Sequence, residues 1–491
     1  ATAITGDLLF FTLDLNRVDD DKLTRMYEVP ALARYRPWID SERQFRKYQL
    51  DDAVEQMLHE KFVTGGGAWS RLFEETLADL RFKMGRKSLT LGETLNRMVD
   101  TNPKVRAAAA TSLSDGLNSR IRLFSLITNT LIKDKEIDDR LRGYQAPMSW
   151  RNLSNQVETE VVDALVTAVN GRVDRLSHRY YALKAKWFGV DALNWWDRNA
   201  PLPKTAERAF DWTLAKDTVL GAYAGFAPEM AENARRFFDE RWIDAEPRPG
   251  KNSGAFAHPT VPSWHPFILM NFFGKPRDVM TLAHELGHGV HQLLAAPQGT
   301  LLSSTPLTLA ETASVFGEML TFRAIVDAEK DAKRRRVLLA GKVEDMLNTV
   351  VRQIAFHNFE ARLHGERKSG ELTSERIGDI WMETQGASLG AGIQLDGSYR
   401  PLWAYISHFV NSPFYVYAYA FGDCLVNALY GIYRDGHPKF QQKYMQMLAA
   451  GGTLRHRELL APFGLDAGDP AFWNKGLDVI AGFIDELAAE D

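Results

Sequence analysis

The run Thr281-Leu282-Ala283-His284-Glu285-Leu286-Gly287-His288 decides how the rest of this 491-residue chain is read. It contains the pattern H-E-x-x-H. On a helix, residues four apart lie one turn above each other on the same face. His284 and His288 therefore present two imidazole nitrogens to one ion. Zinc accepts nitrogen ligands and, in catalytic sites, keeps one position of a tetrahedral shell open. Glu285 lies about 100° round the helix from His284, where it reaches a water at the open position without displacing a histidine. The chain has only 12 histidines. Multiplying residue frequencies gives roughly 0.02 chance matches to the pattern, so accident explains it poorly. Gly287 and Gly289 continue the same helix, and each costs about 1 kcal/mol in a helix interior. Such a cost points to something packed closely against them.

Two histidines leave a third protein ligand to be found. Glu311 and Glu318 lie on the next expected helix, seven residues apart and on one face. Glu311 is nearer the helix start, among small and apolar residues, and is the favoured ligand. Glu318 then becomes the group that holds a ligand imidazole through its other ring nitrogen. His291 is a rival on the same face as His284 and His288. Three ligands within two turns of one straight helix converge badly on a single ion, so His291 reads as a packed histidine beside the site. One zinc ion per chain is expected. A purely structural zinc site would be closed and usually rich in cysteine, whereas this chain has only Cys424.

Composition sets the outer bounds. Hydrophobic residues make up 45% and charged residues 25%, the usual range for a globular chain. The formal net charge of −4 comes from 59 Lys and Arg against 63 Asp and Glu, which gives no support to nucleic-acid binding. A lone cysteine rules out an intrachain disulfide and fits a reducing, cytoplasmic compartment. No run of 18 apolar residues marks a membrane span. The opening stretch Leu8-Leu9-Phe10-Phe11-Thr12-Leu13 is apolar but short, and it lacks the basic flank and cleavage site of a signal peptide. The chain starts at Ala1 without methionine and enters at once what reads as a core helix, so a preceding portion is expected. Nothing in the sequence sets an oligomeric state.

Most of the chain reads as helix. Leu50, Val54, Met57 and Leu58 recur at helical spacing, and Gly65-Gly66-Gly67 marks a break. Ser88-Leu89-Thr90-Leu91 looks like the start of a new helical block, with Thr90 or a neighbour as cap. A division is placed there, giving a helical region over 1–88 and a catalytic region over 89–491. Trp195-Trp196 and Pro201–Pro203 read as a connection. Between 245 and 280, Gly and Pro bound short strand-like runs, Ala255-Phe256-Ala257 and Phe267-Ile268-Leu269-Met270. The basic run Lys333-Arg334-Arg335-Arg336 reads as a solvated helix face. Gly386 to Gly392 lacks a Walker lysine and reads as a helix end rather than a nucleotide loop.

The run from Arg277 to His291 resembles the oligoendopeptidase F branch of the thimet oligopeptidase family. Ala310-Glu311-Thr312-Ala313-Ser314, Lys251-Asn252-Ser253-Gly254-Ala255-Phe256 and the segment from Trp403 through Ala420 are similar to it as well. The resemblance implies a mainly α fold: two helical lobes around a deep channel, with a small β-sheet beside a zincin-type active site. It implies zinc, makes Glu311 the third ligand, and implies cleavage within short, unstructured peptides. It places Gly254, Ala255 and Phe256 on a strand whose edge an extended peptide joins, with Tyr415 also facing the substrate. A phenol is a good donor to a developing oxyanion, and the segment after His408 offers Tyr415, Tyr417 and Tyr419. If the segment is helical, successive members of this set point about 200° apart. The resemblance puts Tyr417 at the position of the catalytic tyrosine and gives His408 the substrate backbone or the same oxygen. The alternative is a peptide-binding protein that keeps the fold without turnover. Its mark would be loss of the residue at Glu285, which is present.

Overall fold

The computed structural model describes residues 2–202 and 209–489. Pro203, at the end of the expected connection, lies outside the described residues. The described residues are mostly helical, with three small sheets among them. Among the described residues no helix is long and apolar enough to cross a membrane.

Local chemistry explains where elements start. The helix expected over 50–60 runs Asp52–Lys61, and the glycine run opens the helix Gly66–Asp79. A two-stranded hairpin, Phe82–Met84 with Lys87–Leu89, precedes the next helical block. Phe82 is fully buried there. Thr90 then caps the helix Leu91–Arg97: its hydroxyl accepts from Glu93 N, and the Glu93 carboxylate accepts from Thr90 N at 2.8 Å. This reciprocal pair satisfies two backbone donors that a helix start leaves orphaned. Gly390 ends the helix Ser374–Leu389 with φ +69°, a conformation that glycine adopts without a Cβ penalty.

The first helix corrects an expectation. Thr2–Arg17 is a helix, but Leu8, Phe10 and Phe11 are more than half exposed and Leu13 turns inward. It packs on the helices Asp52–Lys61 and Arg36–Arg43 along one side only. A cleft of about 890 Å³ lies between it and the helix Ile121–Arg142, lined by Leu13, Tyr48, Leu58, Asp134, Arg142 and Arg151 among others.

Three features position the H-E-x-x-H segment. It lies mid-way along the helix Pro276–Ala295, which starts with proline at its first position. The Asp278 carboxylate accepts from Lys275 N and Phe273 N and fixes that start. Val279, Leu282, Ala283, Leu286 and Val290 form its buried face. The two glycines allow close approach from two sides. A Cβ on Gly287 would stand 2.5 Å from the Ala313 carbonyl oxygen, and one on Gly289 would stand 2.4 Å from Phe237 Cζ. The third feature is a three-stranded sheet in the order Ile243–Asp244, Phe267–Leu269, Phe256–His258. Its outer strand, Phe256–His258, runs antiparallel to the central one and packs beside the motif helix.

The helix Tyr417–Arg434 is buried almost all round, its one polar face taken by Asp423 and Asn427, which hydrogen-bond to each other. The last helix, Pro470–Ala489, lies against it, with Gly476 so close that a Cβ would meet the Cys424 carbonyl at 2.3 Å.

Candidate metal centre

His284, His288 and Glu311 bring one ligand atom each to within 4.8 Å of one another. Glu311 Oε2 stands 3.3 Å from His284 Nε2 and 3.4 Å from His288 Nε2. The expectation that Glu311 and Glu318 share one helix is corrected here. Glu311 sits in a break, after the short turn Leu307–Ala310 and before the helix Thr312–Ala328. The break frees its carboxylate to be held by Ser314, whose hydroxyl donates to Glu311 Oε2 at 2.5 Å. Glu318, two turns further on, faces the opposite edge of the same imidazole. Its Oε2 lies 3.2 Å from His284 Nδ1, and Lys342 donates to its Oε1 at 2.7 Å. His291 is buried, stands outside the ligand group, and lines a pocket of about 270 Å³ with His288, Val261, Trp264, Thr300 and Ser304.

The electrostatics follow from burial and pairing. Burial pushes the Glu311 carboxyl up, but His288, His284 and Ser314 outweigh it and hold the group at about 2. Burial acts likewise on Glu318, and Lys342 with His284 brings it to about 2. Both are anionic at neutral pH. Burial would lower the pKa of His284, yet the neighbouring carboxylates raise it. Glu285 is 6% exposed. Burial lifts its carboxyl above the ordinary range, while the two imidazoles and an N–H donated by Ala257 pull the other way. Two nitrogens and one anionic oxygen, converging with no basic side chain among them, fit a zinc ion with one open position. Glu318 on Nδ1 of His284 leaves Nε2 as that ring's free ligand atom.

With this geometry in place, the profile of peptidase family M3 matches residues 97–479, most of the chain. The chain belongs to peptidase family M3. A second profile, oligopeptidase F, matches residues 14–82. This M3 peptidase is 27% identical over 463 residues to oligopeptidase PepF of Bacillus subtilis, covering 92% of this chain and 68% of that one. It is 27% identical over 418 residues to the chromosomal oligoendopeptidase F of Lactococcus lactis subsp. cremoris, covering 84% and 69%. In fold it is similar to the crystal structure of oligoendopeptidase-F from Enterococcus faecium, with a TM-score of 0.80 and 23% identity over all of this chain and 84% of that one. PZ peptidase A with an inhibitor is also similar, with a TM-score of 0.77 and 15% identity over 100% and 85%.

The structure places the tyrosines of the aromatic segment in different surroundings. Tyr417 is fully buried, and its hydroxyl accepts a hydrogen bond from Asn155 Nδ2 at 2.9 Å. It is a core residue that opens the helix Tyr417–Arg434 and faces His357. Tyr419, two residues on and on another face, brings its hydroxyl 3.1 Å from His408 Nε2. Tyr419 is half-buried; burial, then its contact with Tyr415, and last the charge on Glu311 raise its phenol to about 12. His408 is held below its ordinary value by burial and offers a neutral ring. Tyr415 and Tyr419 are four apart, so their shared face is readable in the sequence; what is not readable is which face the core takes. Gly254 carries φ +95° in an exposed loop whose carbonyls at 252 and 254 accept from Asn271 Nδ2. Phe256 is half exposed on the outer strand, and Ala255 is half-buried just before it. Lys342 and Asn155 carry no motif, and only the folded chain brings them to these positions.

Proposed function

We propose that this M3 peptidase is a zinc-dependent endopeptidase that cuts short, unstructured oligopeptides. The observation that supports the reading most is the convergence of His284, His288 and Glu311, with Glu285 buried beside them. One zinc ion held by these three residues supplies Lewis-acid chemistry toward a water and a peptide carbonyl. Glu285 takes the proton from the attacking water and returns it to the leaving amine. Burial lifts its carboxyl above the ordinary range and makes it a better proton acceptor than an exposed glutamate. Tyr419, with His408 at its hydroxyl, donates to the oxygen on which negative charge develops; Tyr417 is fully buried in the core and has no part in this. The outer strand Phe256–His258 is the edge on which an extended peptide lies, with Gly254, Ala255 and Phe256 at its approach and Tyr415 facing it from the aromatic segment. The relatives named for oligopeptides support a channel that admits short chains.

The test separates binding from chemistry. Glu285→Gln keeps shape and polarity but removes the base. It is expected to retain one zinc per chain by elemental analysis while turnover of a fluorogenic peptide falls by roughly a hundredfold or more. Near-normal turnover in Glu285→Gln, or a wild-type protein that takes up no zinc, would overturn the reading.

A further inference from the structure

Between His408 and Tyr419 the chain makes one tight turn. The short helix His408–Asn411 ends, Tyr415 N bonds to Ser412 O at 3.0 Å, and the helix Tyr417–Arg434 begins. Pro413 and Phe414 occupy the middle of that turn. Phe414 has φ +57°. Proline at the second position followed by a positive φ is the signature of a type II turn, in which glycine normally takes the third position. A bulky side chain there is a backbone outlier. Type I and type II turns differ by a flip of the central peptide, here Pro413–Phe414. A type I turn would suit phenylalanine, so steric preference alone favours the opposite orientation.

Two charged-type side chains hold that one peptide from its two ends. Arg151 Nε donates to the Pro413 carbonyl at 3.1 Å. Glu360 Oε1 accepts from Phe414 N at 2.9 Å. A trans peptide points its C=O and N–H in opposite directions, so the two residues grip it from opposite sides. Each comes from a different helix, Ser149–Ser154 and Val351–Arg367. Arg151 also lies over the ring of Tyr415, with its guanidinium carbon 5.6 Å from the ring centre. Glu360 is 1% exposed, and its second oxygen has no hydrogen-bond partner among the described residues. A buried carboxyl placed at that cost, with one acceptor used on a strained backbone amide, reads as a device for fixing the turn. The turn in turn fixes His408 against Tyr419: Tyr417 is locked to Asn155, so the tyrosine helix stays in place, and a flipped peptide would move the short His408 helix relative to it.

We propose that Arg151 and Glu360 are positioning residues for the peptidase reaction, holding the Pro413–Phe414 peptide in its flipped orientation and so bringing His408 and Tyr419 together beside the metal-binding group. The proposal rests on the role given to Tyr419 above. The experiment is a double-mutant cycle on purified protein with full zinc content, measured as kcat and KM on one peptide. Arg151→Met and Glu360→Leu are each expected to lower kcat about tenfold through misplacement, with little change in KM and unchanged zinc. Glu360→Gln is expected to keep kcat, because its amide oxygen still accepts from Phe414 N. In the Tyr419→Phe background neither loss should recur, since the clamp acts only through that pair. Wild-type kcat in both Arg151→Met and Glu360→Leu, equal damage from Glu360→Gln and Glu360→Leu, or losses that multiply with Tyr419→Phe would each overturn the clamp. If Glu360→Leu fails to fold, the Arg151→Met arm decides, because Arg151 is only half-buried. Wild-type turnover in Tyr419→Phe would instead overturn the tyrosine role itself, a different failure from multiplying losses on a crippled Tyr419→Phe.

Discussion

Two tyrosines two residues apart face different surroundings because a helix turns about 100° per residue. The Tyr417 hydroxyl accepts from Asn155 inside the core, and the half-buried Tyr419 hydroxyl lies 3.1 Å from His408 Nε2. Their phenylalanine variants should therefore separate stability from turnover. Tyr417→Phe leaves a buried amide donor without its acceptor and should cost about 1–3 kcal/mol in denaturant unfolding, with kcat close to wild type. Tyr419→Phe should leave unfolding nearly unchanged and reduce kcat strongly. The reverse pattern in the two assays would put the oxyanion donor back at Tyr417. Glu311 and Glu318 divide in the same way. Both are anionic, but one faces Nε2 of His284 and the other faces Nδ1. The motif pointed to both carboxylates; the difference between their duties lies in which ring edge each reaches.

At the scale of elements, the metal-binding group exists because two helices approach to backbone contact. Gly287 on the motif helix meets Ala313 and Ser314 directly, and Glu311 lies just before that contact. Gly287→Ala places a methyl 2.5 Å from the Ala313 carbonyl oxygen, which is backbone and cannot swing away. The helices must part. Thermal unfolding should register a loss of roughly 1–3 kcal/mol, the scale of overpacking, and zinc retention under a chelator should fall with it, because Glu311 moves with its helix. Unchanged chelator resistance in a clearly destabilised Gly287→Ala would show that the ligand geometry does not depend on this contact. The glycines were legible as a cost. What they admitted, one a neighbouring backbone and the other the ring of Phe237, was not.

At the scale of the whole molecule, buried titratable groups set how the fold responds to acid. Burial holds His357 at about 4, and burial with Lys135 and Lys368 holds His364 at about 3. In the unfolded chain both return to near 6.5. Between those values the unfolded state binds more protons, so stability rises with pH. Their contribution is complete above about 6.5 and is lost as pH falls toward 4 and then 3. His364→Asn should shrink the drop in the urea midpoint between about pH 7.5 and pH 5, compared with wild type. An equal drop in variant and wild type would mean that His364 titrates normally in the folded state. The fold as a whole also bears on substrate size. Peptides of moderate length should be cut while a long, intrinsically unfolded protein resists, judged by mass spectrometry of the products. Rapid internal cleavage of that unfolded protein would mean that the cleft excludes nothing by length.

From sequence alone came the helical class, the H-E-x-x-H pattern, acidic candidates for a third partner and the strand-like runs near the site. Each of these is a local matter: a four-residue repeat on one helix face, a cap at Thr90 or a neighbour, or a short run bounded by glycine and proline. Tertiary structure alone decided which tyrosine faces His408, that Glu311 sits in a break rather than in a helix, and that the first helix leaves its aromatic side chains exposed. It also brought Arg151 and Glu360 to one peptide bond from positions 151 and 360. The physical reason is the same in each case. Periodicity fixes how side chains are spaced around an element, but only packing against the other elements fixes which way that element is turned.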